Sequence, residues 1–248
     1  MLFRKVLMAA VVSLILFAAS SAALAQDAQT LMQQAEAMWV KRSASLQNAY
    51  AAIKLYEQAA AADHSLDAPH YQIARAYYFI GRFSPPAQRE ALYMQGVEAA
   101  KKALAANAGS AGGNYWYSAC LARAIEDKSV ITKGKYVSDI KGHMLAARQA
   151  NPGFYFGGPA RALGMVSFKS PFGSNAEAIV LLRESLKYAP DYSLTLVNLA
   201  EVLIKEKQYA EAKQLCNKVL VLKPMAGYER ELKDDQELAK RLLDSIPK

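Results

Sequence analysis

The stretch PDYSLTLVNLAEVLIKEKQYAEAKQLCNKVLVLKP, residues 190–224, decides the fold. Its first half, from about Ser193 to Lys205, places Leu196, Leu199, Ala200 and Leu203 on one face. Its second half, from about Ala210 to Leu222, does the same with Ala212, Leu215, Cys216, Val219 and Leu220. Steps of three and four residues are the helical period, so the stretch predicts two amphipathic helices joined by a short polar turn. Pro190 and Pro224 bracket the pair, and a proline cannot continue the hydrogen-bond ladder of a helix.

Working outward, the same punctuation recurs at Asn151-Pro152, Ala189-Pro190 and Lys223-Pro224, with spacings of 38 and 34 residues. A helix–turn–helix unit of 34 residues resembles the tetratricopeptide (TPR) repeat. The last unit carries that pattern through Leu196, Leu199, Ala200, Leu203, Ala212, Cys216, Val219 and Pro224. An earlier unit matches through His70, Ile73, Ala74, Tyr77, Gly81 and Phe83, and a first one through Ala52, Tyr56 and Ala59. Leu163-Gly164 opens another, whose second helix carries Ala178, Leu182 and Leu186. The expectation is an all-α chain, a right-handed superhelix of four to five stacked hairpins over residues 28–224. Tyr228 to Ile246 would follow as a charged C-terminal capping helix. Three interruptions are expected: an insertion at Pro85-Pro86, a break from Gly109 to Gly113, and a loop from Lys128 to Gly134.

A narrower likeness covers residues 114–225. It runs from Asn114-Tyr115-Trp116-Tyr117 through Gly157-Gly158-Pro159-Ala160-Arg161-Ala162-Leu163-Gly164 to Ser170-Pro171-Phe172-Gly173. This order is similar to the T component of TRAP transporters, a family of exported TPR-like proteins. The resemblance implies a periplasmic solute-binding protein as partner. Members are commonly lipid-anchored, and this chain departs from them in having Gln26, not a cysteine, directly after the expected cleavage point.

That cleavage point follows from the first residues. Arg4 and Lys5 precede an apolar run from Val6 to Phe17, and small residues lead to Ala23-Leu24-Ala25 before Gln26. A basic start, an apolar middle and a small-x-small exit form a secretory leader. The run is shorter than the roughly 20 residues that span a bilayer, although a permanent N-terminal anchor is the alternative. The expected organisation is a leader over 1–25, cut near Ala25, and one helical domain over 26–248. Export to the periplasm or beyond would follow, without stable membrane insertion of the mature chain.

Losing Arg4 and Lys5 with the leader lowers the formal charge from +8 to +6. The remaining basic residues are dispersed among acids, which speaks against a nucleic-acid stripe and for a mild preference for anionic partners. Cys120 and Cys216 permit one disulfide in an exported protein, but both sit in apolar helical stretches where free cysteine also packs. The sequence leaves their pairing open.

Motifs for chemistry are missing. Gly134-Lys135 lacks the upstream glycine and following hydroxyl of a phosphate-binding loop, and no His-Glu-x-x-His, Gly-x-Ser-x-Gly or Cys-x-x-Cys occurs. Asp63, His64, Asp67 and His70 crowd one turn, which reads as a polar helix start rather than a metal site. His143 reads as an ordinary helix-surface residue. No enzyme, no metal and no cofactor is expected.

The remaining signal is aromatic. In the TPR frame Tyr71, Arg75, Tyr78 and Phe79 face the concave groove, as do Tyr117, Arg161, Met165 and Phe168 in later units. Arg75 or Arg161 could grip a carboxylate through two parallel hydrogen bonds while tyrosines cover apolar parts of a ligand. Two functions are expected from this surface. The first is a non-enzymatic periplasmic scaffold binding another protein, such as a solute-binding protein. The alternative is a carrier for an apolar or anionic small molecule.

Overall fold

A computed structural model describes residues 27–247, so the expected leader lies outside the described residues. Among the described residues the chain is all-helical. Helix α1 covers 27–39, followed by α2 (Leu46–Ala62), α3 (Ala68–Arg82), α4 (Pro86–Ala106) and α5 (Ala111–Ala124). Then come α6 (Val130–Ala150), α7 (Phe154–Lys169), α8 (Asn175–Tyr188), α9 (Ser193–Lys205), α10 (Tyr209–Val221) and α11 (Glu229–Asp244). Consecutive helices pack as antiparallel hairpins. Each hairpin stacks on the next, to give the superhelical TPR arrangement.

The quoted stretch folds as read. Helix α9 buries Leu196, Leu199, Ala200 and Leu203, and α10 buries Ala212, Cys216 and Val219 against it. The expected interruptions are smaller than the sequence suggests. Pro86 is the first residue of α4, where its missing N–H is no loss, so the Pro-Pro pair starts a helix and inserts nothing. Helix α5 begins at Ala111, through Gly112 and Gly113, because the Ser110 hydroxyl accepts from Gly113 N and caps it. The loop expected from Lys128 to Gly134 ends at Ser129, whose hydroxyl accepts from Thr132 N at 3.2 Å and starts α6.

One element has no regular counterpart. Inside α7, Tyr155, Phe156 and Gly157 occupy the left-handed region, with φ of 46°, 62° and 69°. Two aromatic residues there are costly, and such strain persists only where surroundings enforce it. Gly157 cannot be replaced cheaply. A Cβ at that position would lie 2.6 Å from the Ser185 carbonyl oxygen. The kink turns Tyr155 and Phe156 inward, toward the concave side.

The core has two large clusters, one in each half of the stack, and a smaller aliphatic one around Val97, Cys120 and Ile140. From α1 to α7 it is built on aromatic rings, with Trp39, Tyr56, Phe79, Tyr115 and Trp116 all buried. From α8 to α11 it is aliphatic, carried by Leu182, Leu196, Leu199, Val202 and Leu203. The two cysteines sit apart as free thiols. Cys120 is packed with Val97 and Ile140, and Cys216 lies in the aliphatic cluster.

Helix α11 does more than cap the last hairpin. It packs on α9 and α10, and its N-terminal turn also reaches back to the other end of the stack. Arg42, in the α1–α2 connection and fully buried, donates to Glu231 at 2.8 Å. Its guanidinium lies over Trp39 and Tyr228, 4.1 and 4.2 Å from the ring centroids. Arg230 donates to the Ser43 carbonyl at 2.7 Å, and Ser43 donates to the Gly227 carbonyl at 2.6 Å. Gly227, at φ +80°, permits the approach, since a Cβ there would meet the Val40 carbonyl at 2.6 Å.

Candidate functional site

The concave side has an aromatic interior that opens into a cleft. Tyr78, Trp116, Tyr115, Tyr155, Tyr192 and Phe156 follow one another in ring-to-ring contact. They begin on α3, continue through α5 and the α7 kink, and end at the start of α9. Phe156 and Tyr192 stack at 4.5 Å and 15° between planes, and Tyr228 meets Phe156 edge-on at 5.6 Å. Beyond these rings opens a cleft of about 420 Å³. Pro190 and Met225 stand at its rim, Phe156, Tyr192 and Tyr228 form its walls, and Arg82, Ser193 and Asp235 line its base. That size lies in the range of small-molecule pockets, and an extended peptide side chain would also fit.

The polar base is internally connected. Arg82 donates through Nε and Nη2 to Asp234, at 3.2 and 3.0 Å, and lies 3.6 Å from Asp235. Ser193 donates to Asp235 at 2.6 Å. Burial pushes the Asp235 carboxyl up to about 6, helped by neighbouring Asp234, while the Ser193 hydrogen bond, Arg82 and Arg161 oppose the rise.

The eight residues expected in the groove do not form one surface. Phe79 is buried on Trp39 at 5.6 Å, as part of the core. Arg75 is paired with Glu36 at 2.5 Å and donates to the Tyr56 hydroxyl at 3.1 Å, so the carboxylate it grips belongs to α1. Arg161 is buried and donates to the Tyr115 hydroxyl at 2.8 Å. It also reaches Thr195 and the Phe156 carbonyl, both at 3.5 Å, and holds the α7 kink against α9. Burial pushes the Tyr115 hydroxyl up to about 12, against the lowering effect of that guanidinium.

Three of the expected residues, Arg75, Tyr78 and Phe79, do meet, lining a second and smaller pocket with Trp116 and Tyr192. Tyr71 leans edge-on against Phe154 at 5.9 Å. Tyr117 faces α6, where it donates to Asp139 at 2.8 Å and lies 4.3 Å from the His143 ring. Met165 and Phe168 pack against the aliphatic cluster.

Sequence reasoning does not single out Arg82, Phe156, Tyr192, Tyr228 or Asp235 as cleft residues. Phe156 and Tyr192 sit outside regular helix positions, at a left-handed kink and at a helix cap, where a repeat frame assigns no facing. The Gly157-Gly158 pair after three aromatics is the available signal. No group of three metal-binding side chains occurs among the described residues.

Fold and cleft together define the class: a TPR-type helical repeat protein whose concave side is partly closed by its own last helix. The family sequence pattern described as tetratricopeptide repeat matches residues 172–226. The pattern described as regulator of microtubule dynamics protein 1-3 matches residues 25–156, just over half of the chain, and the chain belongs to that family.

No curated protein sequence matches it. Among solved structures it is similar to a thermophilic TPR protein of Thermus thermophilus. That likeness has a TM-score of 0.63 at 18% identity and covers 86% of this chain and 99% of that one. It is also similar to pilF of Pseudomonas aeruginosa, with a TM-score of 0.56 at 17% identity over 89% and 90% of the two chains. At such identities the likeness establishes the fold.

Proposed function

We propose that this protein is a non-enzymatic, exported interaction scaffold that holds a segment of a partner protein in the cleft between α9 and α11. The observation that carries this reading is the cleft itself. It is a half-open cavity on the concave side of a hairpin stack, with aromatic walls and a charged base in which Arg82 is paired with Asp234 and Ser193 with Asp235. Of the family's described role, regulation of microtubule dynamics, what is carried over here is regulation by binding.

Export rests on the leader-like residues 1–25. A periplasmic solute-binding protein as partner rests on the resemblance over residues 114–225 to the TRAP T component. Both are tested by one experiment in cells. A photo-crosslinking amino acid is placed at Met225 on the rim, and another at Val180 as an outer-face control; these positions are 46% and 65% exposed. One dominant conjugate from Met225, found in the periplasmic fraction and identified as a solute-binding protein, is the expected result. Identical conjugates from both positions, or none from Met225, would sink the scaffold reading. The cleft volume also favours a second reading, a small-molecule carrier, which native mass spectrometry of the purified protein would reveal as a retained mass.

A further inference from the structure

A different surface carries an inference that does not depend on the cleft. Helices α5 and α7 run in the same direction through successive hairpins, so the turns that follow them lie on the same edge of the stack. At the first turn Val130 and Ile131, the opening residues of α6, are 71% and 79% exposed; at the second, Phe172 is fully exposed. Large apolar side chains this bare, at neighbouring tips of one edge, are a marked feature.

Helix α6 itself points the same way. It is 21 residues long, and its buried residues are Ile140, Met144 and Ala147. Of the ten residues before Ile140 none is fully buried and seven are exposed, and a Cβ at Gly134 would meet no atom within 4 Å. This end of α6 therefore projects past its neighbours. An isolated helical segment of that length is marginal in water, and a covering surface would stabilise it.

The charge on this edge identifies that surface. The turns after α5, α7 and α9, with the helix ends that flank them, carry Lys128, Lys133, Lys135, Lys169, Lys205 and Lys207 against Glu126, Asp127 and Glu206. Lys128 is paired with Glu90, whereas among the described residues the other five lysines take part in no ion pair. Two of the three acids already have partners, Glu126 in Arg123 and Glu206 in Asn175. The positive end of the α6 dipole emerges at the same place. Protruding apolar tips ringed by lysines match the boundary between anionic headgroups and acyl chains.

We propose that this edge docks the protein peripherally on an anionic phospholipid bilayer, with Phe172, Val130 and Ile131 entering the headgroup layer. Residues 26–248, which contain the whole described fold, are sedimented with vesicles of mixed phosphatidylglycerol and phosphatidylcholine, and with vesicles of phosphatidylcholine alone. The expected result is binding to the anionic vesicles only, weakened by salt. It should fall about tenfold or more in an Ile131→Ser, Phe172→Ser double variant, because the buried apolar area is lost. A Lys135→Glu, Lys169→Glu variant should lose it as well.

These positions are exposed, so both variants should melt like the parent, and circular dichroism checks this. Absence of sedimentation with either vesicle overturns the proposal, as does equal binding by the parent and the serine variant. So does a dimer in light scattering that the serine changes dissolve while vesicles remain unbound, since the occupant would then be a second copy of the chain.

Discussion

The two halves of the stack solve the same packing problem with different side chains. From α8 to α11, small and aliphatic residues interlock at regular helical steps, with Leu182, Leu196, Leu199 and Leu203 between alanines at 178, 200 and 212. From α1 to α7, rings fill the space between helices, and Trp116 touches Tyr78, Tyr115 and Tyr155 in turn. The division also follows the family matches, the repeat pattern covering 172–226 and the more particular one 25–156. An aliphatic interface can repeat because each unit needs only a ridge and a groove. An aromatic one is particular, because each ring fixes where its neighbours stand.

That contrast can be tested by its energetics. Trp116→Ala should have the largest effect, about 3–5 kcal/mol of stability, since it empties a site that several rings share. Urea denaturation gives the value, and a loss below about 1 kcal/mol would mean the rings fill space without organising it. Leu199→Ala in the aliphatic half should cost about 2–5 kcal/mol by the same measurement. The sharper outcome is its reach. Near-ultraviolet dichroism from the aromatic half should be preserved in the folded variant.

Smaller changes probe the seam between the halves. Ser193→Ala removes the hydroxyl donor to Asp235 and should cost about 1–3 kcal/mol, because a buried carboxylate oxygen loses its partner. Asp235→Asn should act mainly on the pH dependence. With its folded value raised to about 6 from an ordinary 3.8, Asp235 contributes stability that is fully present below the ordinary value and is lost as pH rises through 6. The asparagine variant should therefore gain on the parent between about pH 4 and pH 7, a trend that denaturation midpoints across the range would show or refute.

The aliphatic half is legible almost residue by residue. Helix α9 runs from Ser193 to Lys205, the span read from its period, and α10 differs from its reading by one residue at each end. The aromatic half is legible as helices but not as a site. The repeat frame places Tyr117 in the groove, whereas Trp116 is the residue that touches Tyr78, one position earlier. A helical period cannot distinguish adjacent positions when both are aromatic. The cleft is hidden for a different reason. Its walls come from a left-handed kink, a cap and a helix distant in sequence, and no periodicity links these three. Arg42 and Glu231 are 189 residues apart, and nothing in either neighbourhood announces the other.

The strap that α11 makes to the α1–α2 connection changes what kind of object the stack is. A linear array of hairpins has two free ends, and its outermost units can peel away while the middle persists. Here the first connection and the last helix hold each other through Arg42, Ser43, Gly227 and Arg230. Neither end can fray without releasing the other. The molecule is thus a ring in the thermodynamic sense, although its chain is open, and cooperativity should extend around it. A partner that entered the cleft and shifted α11 would be felt at the opposite terminus, without any signal having to pass through the hairpins in between.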